Sequence, residues 1–254
     1  MDRRRTALIT DEETSFKKWL LRLLVAVLWI ASIDFFYGTG ALVGQFNLGM
    51  AEGSMARAAR VWMVLSGDFV PCAGAPPLTC GFRDTTARVE VDCADYQGQG
   101  AAVLMTFGQS NSANAGRDRY FPVGPVANFN IHDGRCYRAE DPLLGPDGPG
   151  GSVWGVLADK LIAAGHYDRV LLVPFGIGGS ALAEWQNGAY LHPILQRATR
   201  AVRDADIVPT HVLWHQGEAD ADDATPEAEY FAMFESLVAL LREYGIAAPV
   251  YPAV

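Results

Sequence analysis

Three short polar runs hold residue types suited to acyl transfer. The first is Gly108-Gln109-Ser110-Asn111. A serine that follows an apolar run and a glycine can project its hydroxyl at the rim of a sheet. Its own N–H can then face a developing oxyanion. The hydroxyl is a weak nucleophile until a base takes its proton. The second run is Pro174-Phe175-Gly176-Ile177-Gly178-Gly179-Ser180. Its glycines let backbone N–H groups approach a ligand closely. It lacks the lysine of a phosphate-binding loop, so an oxyanion donor from Gly178 or Gly179 fits better, while Gly176 reads as a tight turn. The third run is Trp214-His215-Gln216-Gly217-Glu218-Ala219-Asp220. Gln216 offers a side-chain amide to negative charge. Glu218 and Asp220 lie two apart on one loop instead of flanking a cleft, which argues against a glycosidase pair. His215 adjoins the donor run and reads as a packing residue.

Each run needs an element to carry it. Apolar stretches at Ala101 to Phe107, Arg169 to Pro174 and His211 to Trp214 lead directly into the three runs, and a fourth begins at Pro249. Runs that are apolar on both faces suit buried parallel strands. Helices are predicted between them. Ser152 caps one that stops at Gly165, with Val153, Val156, Leu157, Leu161 and Ala164 as its apolar face. Pro193 opens a second, which runs to about Asp204. Thr225-Pro226 opens a third, with Tyr230, Phe231, Phe234, Leu237, Val238 and Leu241 as its buried stripe and Gly245 as its end. Alternating strands and helices imply an α/β fold, a three-layer α/β/α sandwich around a parallel sheet. Ligands in such sheets bind beyond the carboxyl ends of the strands, where all three runs fall.

The remaining sequence sets the context. Half the residues are hydrophobic, 19% are charged, and the net charge is −9. That balance argues against disorder and against a nucleic-acid partner. Arg3, Arg4, Arg5, Lys17 and Lys18 precede an apolar run from Trp19 to Tyr37. Residues 1–43 therefore read as a basic cytoplasmic tail and a transmembrane signal-anchor, with the following domain exported to the periplasm or the cell exterior. A cleaved signal peptide ending near Thr39-Gly40-Ala41 is the main competing reading, which makes the protein secreted, and an amphipathic core helix is the third. Residues 44–100 carry a weaker pattern: a short helix over Met50 to Leu65, a loop over Pro71 to Pro77 and a short strand over Ala87 to Val91. Cys72, Cys80, Cys93 and Cys136 lack zinc-site spacing and suit two disulfides in an oxidising compartment. Three pairings are possible, and Cys72 with Cys80 is favoured by its short loop.

The motif order Gly-Gln-Ser-Asn, then Gly-Gly-Ser with a following Trp185, then Trp-His-Gln-Gly-Glu-Ala-Asp resembles the sialate O-acetylesterase and acetylxylan esterase group of the SGNH hydrolases. The resemblance spans residues 101–254. It implies an SGNH, flavodoxin-like fold and cofactor-free, metal-free ester hydrolysis on an acetylated carbohydrate. It also implies that Ser110 is the nucleophile, that Gly178 or Gly179 donates to the oxyanion, and that Gln216 is the third donor. Gln109, Asn111, Glu218 and Trp185 fall at the motif positions that face the substrate, with Asn111 and Glu218 also fixing the loops. Tyr120, Phe121, Tyr137 and Trp185 are candidate sugar-lining aromatics. The group places its catalytic histidine in a late Asp-x-x-His motif, and none of the five histidines here follows an aspartate at that spacing. The expectation is a domain that lacks its C-terminal part and with it the general base, so that residues 1–254 alone hydrolyse esters poorly. A non-catalytic carbohydrate-binding surface protein, or a thioesterase or lipase on the same fold, is the alternative.

Overall fold

The computed structural model describes residues 69–70 and 81–253 of the chain. The chain divides into two compact units, Met1–Glu52 and Gly53–Val254, and every described residue lies in the second. The expected anchor at Trp19 to Tyr37, the helix at Met50 to Leu65, the loop at Pro71 to Pro77 and the Cys72–Cys80 pair lie outside the described residues.

Nine strands are described. β1 (Phe69–Val70) and β2 (Gly81–Phe82) form a small antiparallel pair. The other seven form one sheet in the order β3-β6-β5-β7-β4-β8-β9. Its members are β3 (Glu90–Val91), β4 (Ala101–Gly108), β5 (Val126–Asn130), β6 (Arg135–Arg138), β7 (Arg169–Pro174), β8 (His211–His215) and β9 (Val250–Pro252). β5, β7, β4, β8 and β9 run parallel, as the apolar stretches predict. The sheet is nevertheless mixed, because β6 pairs antiparallel with both β5 and β3. β3 realises the short strand expected in residues 87–91, so this stretch supplies an edge of the main sheet. A Cys93–Cys136 disulfide staples that edge to β6.

The helices are α1 (Val153–Ala163), α2 (His192–Asp204), α3 (Glu218–Asp222) and α4 (Glu227–Glu243). Ser152 Oγ accepts the Trp154 N–H at 3.3 Å and so caps α1 as expected. The buried face of α1 differs from expectation. Trp154 and Ala158 point inward with Leu157 and Leu161 beside them, while Val153 is 49% exposed. The large indole rotates the stripe by one residue, since burying Trp154 removes more apolar surface from water than burying Val153. In α4 the stripe runs through Tyr230, Phe234, Leu237 and Leu241, but Phe231 is 56% exposed. It lies one residue, about 100° of helix, off that face.

Two cores result, one on each face of the sheet. The larger holds α2, α4 and an aromatic cluster directly beneath the three polar runs. Phe107 stacks on Phe175 at 4.8 Å and meets the edges of Trp214 at 4.8 Å and Trp185 at 5.3 Å. These four side chains are essentially buried and give the strand ends a rigid floor.

Candidate active site

Gly108 is the pivot of the site. Its φ of +134° is one that L side chains rarely adopt, and a Cβ there would meet the His215 carbonyl oxygen at 2.1 Å. The chain can therefore turn sharply at the end of β4, between the ends of β7 and β8. The Gly108 carbonyl accepts the Ile177 N–H at 2.9 Å, and the Gln109 N–H donates to the His215 carbonyl at 3.0 Å. Ser110, which opens a 3-10 turn over Ser110–Ser112, is thus stitched to the glycine run on one side and to the third run on the other.

Side chains complete the stitching. Gln109 is buried, and its Oε1 accepts the N–H groups of Gly217 at 3.3 Å and Ala219 at 3.0 Å. Asn111 Nδ2 donates to Glu218 Oε1 across the exposed rim. Gly176 passes so close to Ser112 that a Cβ would lie 2.8 Å from its carbonyl carbon and oxygen. The tight turn expected at Gly176 is therefore also a close approach of two backbones.

Ser110 itself is half-buried, and its Oγ has no partner among the described residues. Its N–H likewise has no acceptor there, nor does the N–H of Gly179. Gly179 is exposed, holds a left-handed φ of +72°, and has open space where a side chain would be. Gly178 differs, because its N–H donates to Asp147 Oδ2 at 3.2 Å. Of the two glycines, Gly179 is the one with a free donor.

Gln216 directly follows β8. It is buried, and its Nε2 donates to the Ser180 carbonyl at 3.1 Å and to Asp220 Oδ2 at 2.5 Å. Its Oε1 accepts the Tyr230 hydroxyl at 2.9 Å. Both amide hydrogens are therefore committed inside the protein. Asp220 also accepts the Leu182 N–H at 2.8 Å and the Thr225 hydroxyl at 3.0 Å, which locks the loops after β7 and β8 together. Trp185, expected to face substrate, has no exposed surface. Its Nε1 donates to Ser180 Oγ at 3.0 Å, and the ring belongs to the aromatic floor, so it supports the glycine run from below. Tyr137 is also buried, Tyr120 donates its hydroxyl to Asp159, and only Phe121 of the four candidate aromatics is broadly exposed.

Asp147 was not singled out by the sequence. It sits in the loop between β6 and α1, only 6% exposed. Its N–H donates to the Gly176 carbonyl and its carbonyl accepts the Asn114 N–H, both at 2.8 Å. The carboxylate takes the Gly148 N–H at 2.9 Å besides that of Gly178. Burial pushes this carboxyl up to about 6, against the opposing pull of those two N–H groups. The Gly-Pro-Asp-Gly-Pro pattern reads as a solvent loop, and only its glycine density hints at close backbone packing.

All five histidines are described, and none bonds Ser110. His132 faces Arg197, His192 bonds Gly188 and Tyr244, and His211 bonds Tyr167 and Thr210. His166 is exposed beyond the end of α1. His215 packs edge-on against Trp154 at 6.4 Å, in keeping with its expected packing role.

Comparison with known proteins agrees with the motifs. A curated relative, a probable carbohydrate esterase of Arabidopsis thaliana, is 31% identical over 163 residues. That match takes in 55% of this chain and 62% of the relative, so the chain spans less than two thirds of the relative's length. Among solved structures, a protein of Arabidopsis thaliana aligns with 59% of this chain and 72% of its own, at 19% identity and a TM-score of 0.47. The protein NanS aligns with 59% of this chain and 66% of its own, at 20% identity and a TM-score of 0.42. A carbohydrate acetylesterase from Xanthomonas citri aligns with 60% of this chain and 40% of its own, at 19% identity and a TM-score of 0.38. Residues 147–250, which hold the second and third polar runs, match the model of the carbohydrate esterase family of sialic acid-specific acetylesterases, the group that the motifs resemble.

Proposed function

We propose that this chain carries the serine and the oxyanion loops of a carbohydrate O-acetylesterase. The observation that supports it most is the stitching of Ser110. Its loop is bonded to the glycine run through Gly108 and to the third run through Gln109 and Asn111. Ser110 Oγ attacks the acetyl carbonyl carbon, and the negative charge moves to the carbonyl oxygen. The N–H groups of Ser110 and Gly179 receive that charge. Collapse expels the sugar hydroxyl and leaves acetyl-serine, which water then cleaves to acetate. Gln216 joins as third donor by exchanging the neutral Ser180 carbonyl for the charged oxyanion, a stronger acceptor. Asn111 and Glu218 border the sugar side of the serine.

The attack needs a base. None of the five histidines bonds Ser110 among the described residues, so we assign the base to a histidine supplied from outside residues 1–254. The same observation favours one rival, a protein that binds acetylated carbohydrate without turning it over. Acetate release from acetylated xylan and O-acetyl sialic acid by the full-length protein separates the two. The esterase reading predicts release that is lost in Ser110→Ala, whereas binding without release establishes the rival. Preference for acyl-CoA or long-chain esters would instead establish a thioesterase or lipase.

We also propose export, with residues 1–43 as the membrane anchor. The basic residues ahead of Trp19 to Tyr37 support it, as does the Cys93–Cys136 disulfide, which suits an oxidising compartment. Among the described residues no helix is long and apolar enough to cross a membrane.

A further inference from the structure

We infer that the cleft between α2 and the β5–β6 turn is an anion-binding site for a carboxylate- or phosphate-bearing small molecule. The cleft measures about 560 Å³ and is lined by His132, Pro193, Gln196, Arg197, Arg200 and Asp204, among others. Arg197 and Arg200 stand three residues apart on α2, so their side chains project from one face of the helix. Among the described residues, neither forms an ion pair with a carboxylate. Arg197 is half-buried and Arg200 exposed, and both line the cleft. This is a concentration of positive charge on a protein of net charge −9.

His132 adds no positive charge of its own to this wall. Its Nδ1 lies 3.3 Å from Arg197 Nη1 and can only accept there, so the ring is neutral. Burial, then the nearby Arg83 and Arg197, lower it to about 3. The negative groups are few. Asp204 sits at one end of the cleft, 3.9 Å from Arg203. Asp133, next to His132, is occupied by the Tyr137 hydroxyl and the Arg135 N–H. An incoming oxyanion would meet two guanidinium groups, whose planar donor sets match both carboxylate and phosphate.

None of the residues that line the cleft belongs to the three polar runs, and its occupation needs no ester chemistry. The test titrates the full-length protein, in detergent, with inorganic phosphate, glucuronate and glucose at fixed ionic strength, followed by calorimetry. Saturable 1:1 binding of phosphate, of glucuronate or of both supports the site, and their relative affinities identify the anion source. Glucose should give no signal. Removing the two charge-assisted donors in Arg197→Gln/Arg200→Gln should weaken binding at least about tenfold. The exposed Arg200→Gln change alone should weaken it without altering the thermal melt. Absence of binding by both anions, or equal binding by the double variant, overturns the inference.

Discussion

Burying a carboxylate costs free energy, and Asp147, with no charged partner among the described residues, makes that cost measurable. Its carboxyl is raised by burial from 3.8 to about 6. The folded state therefore favours the protonated form. Stability is greatest when the group is protonated in both folded and unfolded chains, below about pH 4. It falls as pH rises from about 4 to about 6, and stays lower above that. Two units correspond to about 3 kcal/mol at 1.36 kcal/mol per unit. Asp147→Asn removes this slope and keeps the shape. The new amide has to set an NH₂ against either the Gly178 or the Gly148 N–H, at a cost of about 1 kcal/mol for the lost hydrogen bond. Net stabilisation at pH 8 should thus be about 2 kcal/mol, with destabilisation at pH 4. Urea denaturation of both proteins between pH 4 and pH 8 reads the difference, and the other carboxylates cancel. A stability difference that is flat with pH would refute the assignment of a strained, buried carboxyl. The strain has a functional counterpart, since the same carboxylate holds the Gly178 N–H and leaves Gly179 as the free donor.

Two further outcomes follow from the geometry. Gln216→Ala in the full-length protein should lower kcat on the order of 100-fold as an oxyanion donor is lost, with little rise in KM. If kcat is unchanged and only the melting temperature falls, Gln216 is a buttress for Ser180 and Asp220 and nothing more. Replacing both Cys93 and Cys136 by serine should cost about 4 kcal/mol in denaturant unfolding, from the loop-entropy relation applied to a separation of 43 residues. An unchanged midpoint in oxidising buffer would show that the edge strand β3 needs no staple.

The parallel strands and the three loops at their ends were legible in the sequence because β4 and β7 are buried on both faces, β8 on one, and all three read as short, mainly apolar runs. The β5–β6 hairpin was not. Val126-Ala127-Asn128-Phe129-Asn130 is broken by two asparagines that look like loop residues. Both are buried, and both bond backbone groups. Asn128 exchanges bonds with Leu144 at 2.6 and 3.1 Å, and Asn130 accepts the His132 N–H. Spacing alone has no means of distinguishing such tertiary pairing from a turn. Trp185 shows the opposite limit. Its motif position pointed to the substrate, but an indole can serve the site through one hydrogen bond from below, and sequence does not separate the two faces of a loop. The buttress under Gln216 is equally tertiary, because Tyr230 and Asp220 reach it from separate helices.

The central claim is that Ser110 becomes acetylated. The direct measurement is rapid acid quenching of the full-length protein mixed with p-nitrophenyl acetate, followed by mass spectrometry of the peptide that contains Ser110. The account predicts an acetyl group on Ser110 itself, formed before steady state and absent in Ser110→Ala. Ester hydrolysis that proceeds with Ser110 unmodified, or that survives Ser110→Ala, would contradict it.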